Sequence, residues 1–318
     1  TRRVRSSEMS EYHQPIMVDE VLAGLDIKKD GVYFDGTCGG GGHSYAILSS
    51  DPTVRLIATD KDGDAIREAS ARLAPFGKRF QLFRSDFKEY ERVLSEAGVE
   101  QLDGYLLDLG ISSHQIDARE RGFAYMAEEA PLDMRMDDRA SLTAEIVVNE
   151  YPAERLLTIL REYGEESFAT SIVRNIVRER EKGRIETCGA LRRIVEESVP
   201  AYYRYNACAR KTFQAIRIEV NGELDGLKEC VEGLTRRLKK GGRACILTFH
   251  SLEDRIVKNV FRSMSEGCTC PKSFPVCVCG KKEEIELVNR KPITASEEEQ
   301  KSNSRSTSAK LRIARKLE

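Results

Sequence analysis

Residues 31–43, Gly-Val-Tyr-Phe-Asp-Gly-Thr-Cys-Gly-Gly-Gly-Gly-His, restrict what this chain can fold into more than any other stretch. Gly31 opens a turn, and the short apolar run after it reads as a buried strand with an acid, Asp35, at its end. Five glycines then fall within seven residues, Gly36 and Gly39 to Gly42. Glycine at that density suits a backbone that turns tightly or approaches a ligand closely. From His43 to Ser49 the pattern is helical again. Strand, glycine loop and helix in this order form the ligand corner of a doubly wound α/β sheet. A plain glycine-rich turn is the alternative, since isolated glycine fingerprints often arise by chance.

Two acids add weight to the ligand reading. A second apolar run, residues 54–59, ends at Asp60, about twenty residues past the loop, where a carboxylate can hold a ribose hydroxyl pair. Asp35 precedes the loop at the strand edge. A pyrophosphate there would be poorly served by a carboxylate, whereas a cationic ligand, an ammonium or a sulfonium, would be well served. S-adenosylmethionine carries both cations and a ribose. The residues therefore favour a methyltransferase over a dehydrogenase, with an NAD-type oxidoreductase on the same fold as the rival.

The chain has 318 residues, 40% hydrophobic and 32% charged, enough for one large or two modest cores. No apolar run approaches the ~20 residues of a membrane span, and the first residues lack the apolar stretch of a signal peptide. The nine cysteines, an odd number and scattered, suit a reducing cytoplasm. A net charge of −1 offers no global attraction for nucleic acid. Locally, residues 202–217 hold Arg204, Arg210, Lys211 and Arg217 with no acid, interleaved with Tyr202, Tyr203, Tyr205 and Phe213. That combination fits a single-stranded RNA surface. It equally fits a helix with a solvated basic face and a buried aromatic one.

Taken in order, Val18, Val21, Leu22 and Leu25 predict a helix ahead of the first strand. Strands are expected at 32–35, 55–60, near 80–83 and at 104–109, with a helix over 62–73. Asp86 is placed as an N-cap with Glu89 at the capping-box position. This alternation means a parallel sheet, whose ligands bind at the carboxyl ends of the strands. Residues 39–43, Asp60, Asp86, Phe87 and Asp108 all fall at those ends. From residue 119 to about 209 the pattern is helical instead, with helices over 143–149, 153–163, 165–181 and 188–198. The apolar spacing from Ile216 to Leu238 predicts one long helix ending at Gly241 and Gly242. A strand over 243–249 follows, then a helix with Ser251 as N-cap. Residues 284–288 and 311–316 read as a final antiparallel pair, and 294–308 between them as a mobile surface loop.

Longer words give a resemblance to one family. They are His13-Gln-Pro, Asp35-Gly-Thr-Cys-Gly-Gly-Gly-Gly-His-Ser, Ala58-Thr-Asp-Lys-Asp, Asp108-Leu-Gly-Ile-Ser-Ser-His-Gln-Ile-Asp, Arg121-Gly-Phe and Pro131-Leu-Asp-Met-Arg-Met-Asp. Tyr163-Gly-Glu-Glu, Thr212-Phe-Gln-Ala-Ile-Arg-Ile-Glu-Val-Asn, Phe249-His-Ser-Leu-Glu-Asp-Arg-Ile-Val-Lys, Arg290-Lys-Pro-Ile-Thr and Ser308-Ala-Lys-Leu-Arg continue the series. In this order, over nearly the whole chain, they resemble the RsmH or MraW family of 16S rRNA (cytosine-N4) methyltransferases. The resemblance implies a class I, Rossmann-like methyltransferase fold: a mostly parallel doubly wound sheet formed by residues 1–118 and 210–318, with an all-helical insertion at 119–209 that recognises RNA. It implies S-adenosylmethionine as cofactor, with contacts at Gly40, Gly41, Gly42, His43, Asp60, Phe87, Asp108 and Gln115. The expected partner is 16S rRNA in the small ribosomal subunit, with no membrane and a homodimer as a candidate assembly.

Cytosine's exocyclic amine is a poor nucleophile because its lone pair is conjugated with the ring. An acceptor held against its N–H localises that pair and stabilises the developing charge. Asp108 is the candidate catalytic residue, with an N-cap or a cofactor-only contact as the alternatives. Phe87 either flanks an adenine or staples a helix. A non-catalytic RNA-binding or assembly factor would keep the same fold. Cys268-Thr-Cys and Cys277-Val-Cys could supply four thiolates to a zinc knuckle. Zinc sites favour the wider C-x2-C spacing, however, so no metal is expected.

Overall fold

The computed structural model describes residues 15–204, 208–268, 270–271, 276 and 278–318. His13, Tyr205 and Cys277, named above, lie outside the described residues. The described residues form two compact units: 15–110 with 224–318, and 111–223.

The first unit is built on an eight-stranded sheet. Its strands are β1 (Val32–Asp35), β2 (Arg55–Asp60), β3 (Phe80–Arg84), β4 (Leu102–Asp108), β5 (Leu238–Thr248), β6 (Ile285–Leu287), β7 (Ile293–Thr294) and β8 (Lys310–Lys316). They run in the order β3-β2-β1-β4-β5-β8-β6, with β7 also paired to β8. The five strands from β3 to β5 are parallel; β8 is antiparallel to β5, and both β6 and β7 are antiparallel to β8. The chain winds outward from β1 to β3, then returns to place β4 on the other side of β1. The reversal point of a doubly wound sheet therefore lies between β1 and β4.

Strand residues alternate between two cores, as a period of two requires. Phe34, Ile57, Tyr105, Leu107, Ala244 and Ile246 face one core, which includes Val93, Leu227, Val231, Val257 and Phe261 from helices. Tyr33, Leu56, Ala58, Leu106, Cys245 and Leu247 face the other, with Val21, Leu25, Ile47, Leu48, Ala69 and Leu73. A sheet packed by helices on both faces needs the near-continuous apolar runs seen in the sequence.

The second unit, among its described residues, is helical apart from one isolated bridge between Pro131 and Thr187. It has its own core, including Leu132, Met134, Val147, Leu160, Ile172, Leu191, Phe213 and Ile216. It is wider than the expected 119–209 insertion, because Ile111 to Ala118 and Arg210 to Glu223 belong to it.

Three other expectations change. The long helix expected through 216–238 is two helices, Ala209–Asn221 and Leu227–Arg236. Gly222 (φ 53°) caps the first and Gly226 (φ 67°) opens the second, both left-handed. The apolar spacing survives the break because Phe213, Ile216 and Val220 feed the helical core while Leu227, Val231 and Leu234 feed the sheet core. Gly241 and Gly242 lie inside β5, where the register against β4 shifts between Leu102 and Gly104.

Residues 294–308 are not a loose loop: they form helix Glu297–Ser302 and a 3-10 turn, Ser304–Ser308, with Ser306 buried. Glu299 Oε1 accepts the Met17 N–H at 2.7 Å, fastening this segment to the start of helix Val18–Leu25. The cap of helix Ser251–Ser265 is His250, not Ser251; its ring nitrogen faces the Glu253 N–H at 3.5 Å.

Candidate functional site

The glycine loop folds against the ends of β1, β2 and β4. Gly36 leaves β1 with no room for a side chain: a Cβ there would lie 2.5 Å from Leu107 Cδ2 and 2.8 Å from Phe87 Cβ. Gly39 has open space around it but adopts φ +53°, the left-handed region that glycine enters without strain. Helix Gly42–Ser50 starts directly afterwards, so its first-turn N–H groups face the loop.

Asp60, at the end of β2, accepts the Gly39 N–H at 2.8 Å and the Asp62 N–H at 2.9 Å, one on each oxygen. Burial pushes its carboxyl up to about 6, against those two donors. Each oxygen keeps capacity for a further donor.

Asp108, at the end of β4, is fixed by its backbone, whose N–H donates to Thr37 Oγ1 at 2.6 Å. Its Oδ2 lies 3.6 Å from His43 Nδ1. His43 Nε2 is 2.8 Å from the Ile16 carbonyl, which can only accept, so Nε2 carries a hydrogen. The other ring nitrogen, Nδ1, is therefore the one turned toward Asp108. Burial raises the Asp108 carboxyl; His43 and Arg305 oppose the rise, while Asp35 and Glu253 add to it. The N-cap alternative for Asp108 fails, because helix Ser113–Asp117 is capped by Ser112.

Asp35 does not face a ligand. It is wholly buried, accepts the Ser44 hydroxyl at 2.6 Å and the Thr37 N–H at 3.2 Å, and its carboxyl is raised by burial. Its task is to brace the loop from beneath, which corrects the expectation that it meets a cation. Cys38 is likewise buried, 3.4 Å from Ser44 Oγ, and burial lifts its thiol well above the usual range, so it packs rather than reacts.

Phe87 is half-buried beside Gly36, with Lys88 Nζ 6.0 Å from its ring centroid. Asp86 does cap, accepting the Lys88 N–H at 3.0 Å, and lies 3.5 Å from Lys61 Nζ. Glu89 does not close a capping box; it pairs with Arg92 instead.

Gly40, Gly41, Gly42, His43, Asp60, Phe87 and Asp108 thus lie on the loop and strand ends of one unit. Gln115 belongs to the helical unit, where its Oε1 accepts the Ser112 N–H at 3.0 Å and its own N–H donates to Ser112 Oγ at 3.1 Å. The sequence reading missed Thr37, Ser44 and the Ile16 carbonyl. Thr37 and Ser44 are hydroxyls inside or just after the glycine run, which is the signal that could have found them.

The basic, aromatic stretch at 202–217 resolves mostly to the plainer alternative. Phe213 is buried, Tyr203 packs on Phe168 with ring centroids 5.0 Å apart, and Arg217 pairs with Glu223 at 2.8 Å. Tyr202, Arg204 and Arg210 remain exposed.

The sequence profile of the MraW methylase family matches residues 10–317. The "Ribosomal RNA small subunit methyltransferase H 2" of Agathobacter rectalis is 49% identical over 312 residues, 97% of this chain and 99% of its own. The "Ribosomal RNA small subunit methyltransferase H" proteins of Symbiobacterium thermophilum and Clostridium botulinum are 48% and 47% identical, covering 98% and 97% of this chain and 98% and 100% of theirs. With the profile matched from end to end and such identity held across full lengths, this chain belongs to the MraW methylase family.

Proposed function

We propose that the protein transfers a methyl group from S-adenosylmethionine to the exocyclic N4 of a cytidine in the decoding region of 16S rRNA. The observation that carries this reading is the cluster at the β1–β4 reversal point. A glycine loop in which Gly36 has no room for a side chain and Gly39 takes a left-handed backbone, an acceptor carboxylate at the end of β2 and a half-buried carboxylate at the end of β4 stand together there. Sheets of this topology bind their ligands at that point.

The residues fit the cofactor by their donors and acceptors. Asp60 offers spare acceptor capacity to a ribose. The first-turn N–H groups of helix Gly42–Ser50 offer donors to a carboxylate. Phe87 offers a flat apolar edge to a purine. When bound, S-adenosylmethionine supplies a methyl already activated by its sulfonium. What remains for the protein is alignment, which alone contributes ~7–11 kcal/mol in well-oriented reactions. Asp108 accepts a hydrogen bond from the target amine, localising its lone pair, and stabilises the positive charge that develops on nitrogen as the C–S bond breaks and the C–N bond forms. The amine's surplus proton then leaves along that hydrogen bond to the carboxylate and on to solvent. His43, with Nδ1 3.6 Å from Asp108 Oδ2, holds the carboxyl in place from behind. The target base reaches Asp108 unstacked or from a single strand.

The RNA itself needs cations and stacking faces, which Tyr202, Arg204 and Arg210 of the helical unit supply. The family's printed names, methylase and ribosomal RNA small subunit methyltransferase, agree with this substrate. The cytoplasm, where ribosomes and reduced thiols occur together, is the proposed location; the described cysteines form no disulfide with one another. No helix among the described residues is long and apolar enough to cross a membrane. Calorimetric titration with S-adenosylhomocysteine and with NAD tests the cofactor. Micromolar or tighter binding of the first and none of the second is expected, and the reverse pattern overturns the reading.

A further inference from the structure

Outside the crevice, three thiols meet in the segment between helix Ser251–Ser265 and β6. The sulfur atoms of Cys268, Cys270 and Cys279 all lie within 4.8 Å of one another. Cys268 Sγ and Cys279 Sγ are 3.6 Å apart. A tetrahedral zinc with Zn–S bonds of about 2.3 Å separates its sulfurs by about 3.8 Å, so this pair already spans one edge of such a tetrahedron. Two backbone donors point at the cluster: the Cys270 N–H at Cys268 Sγ and the Val278 N–H at Cys270 Sγ, both at 3.4 Å. N–H groups aimed at sulfur stabilise the thiolate form that a metal needs and fix the ligands' orientation.

Val276 and Val278 are 70% and 74% exposed, so the described apolar side chains here build no core, and a metal would replace one. The tight C-x-C spacing argued against a metal when only the sequence was considered. The folded chain removes that objection, because Cys279 comes from the second C-x-C pair and closes on the first across the loop.

We propose that Cys268, Cys270 and Cys279 bind a structural zinc ion, or another thiophilic divalent ion of the same preference. Soft thiolates select such metals over magnesium or calcium. The ion staples the segment between the helix and β6 and takes no part in methyl transfer.

The test uses the full-length protein purified under reducing, anaerobic conditions from zinc-supplemented medium. Elemental analysis should find about one zinc per chain. After zinc is stripped, titration with cobalt(II) should give intense thiolate-to-metal charge-transfer absorption. The double variant Cys268→Ser/Cys279→Ser should lose both signals, whereas Val278→Ala should keep them. Binding of S-adenosylhomocysteine should be unchanged in both variants, which confirms that the protein is still folded. Zinc-free protein that takes up no cobalt overturns the proposal. So does a metal that stays bound in the double variant, or a Cys268–Cys279 disulfide in the anaerobic preparation.

Discussion

Asp108 and Asp60 are both carboxylates at strand ends, yet their surroundings assign them different tasks. Asp60 is gripped by the backbone N–H groups of Gly39 and Asp62, whereas Asp108 has a histidine behind it. Asp108→Asn keeps the shape but loses the charged acceptor. It should cut single-turnover methyl transfer by about 10²-fold or more, as loss of one transition-state contact does, while S-adenosylhomocysteine affinity stays within about threefold. A variant that transfers at the wild-type rate would remove Asp108 from the chemistry.

Asp60 carries the pH dependence of cofactor binding. Its carboxyl, lifted to about 6 by burial, is ionised and fully able to accept ribose hydroxyls above that pH, and becomes a poorer acceptor as the proton binds below it. Affinity for S-adenosylhomocysteine, measured by calorimetry from pH 5 to 8, should therefore fall as the pH drops through about 6. In Asp60→Asn the affinity should be about tenfold weaker and this slope should be absent.

At the scale of elements, the sequence made the strand–loop–helix corner legible because glycine density and a terminal acid are local signals. Gly36 shows why: its neighbours leave no volume for a Cβ. Gly36→Ala should cost about 1–3 kcal/mol in unfolding free energy, the range typical of overpacking, and should weaken cofactor binding as Phe87 is displaced. What the sequence did not reveal was set by tertiary contacts. Asp35 reads as a ligand from its position, but Ser44, nine residues on, turns it inward. Residues 294–308 read as a loop from their polar composition, yet Glu299 and the buried Ser306 fasten them to the sheet unit.

β8 shows the same dependence on distant partners. Arg312 donates to both oxygens of Asp254, at 2.8 and 3.0 Å, inside the protein. Burial alone would raise the Asp254 carboxyl, but Arg312 outweighs it and holds the carboxyl below its usual value. The pair therefore contributes stability at neutral pH that is lost as the pH falls through that lowered value. Arg312→Ala removes the two-pronged partner and leaves the carboxylate to Lys310 Nζ at 3.6 Å and the Thr248 hydroxyl at 3.3 Å; it should lower stability by about 1–3 kcal/mol in denaturant titration.

For the whole molecule, the decisive error of the sequence reading was the single helix drawn through 216–238. Apolar spacing continued across Gly222 and Gly226, so periodicity alone could not see that one half serves the helical core and the other the sheet core. Because each unit has its own core, damage to one should leave the chemistry of the other recognisable. Leu160→Ala, deep in the helical core, should cost about 2–5 kcal/mol there. At permissive temperature it should leave S-adenosylhomocysteine affinity within about twofold of the wild type while lowering methyl transfer to RNA. Equal loss of both would contradict the division of labour.

The most direct test is a single assay of the transferred methyl group. Small ribosomal subunits from cells lacking this protein are incubated with it and methyl-labelled S-adenosylmethionine, and the 16S rRNA is digested to nucleosides for mass spectrometry. The account predicts label in N4-methylated cytidine from one decoding-region fragment, abolished by Asp108→Asn. Label on carbon 5 of cytosine, on another base, or nowhere in the RNA would contradict it.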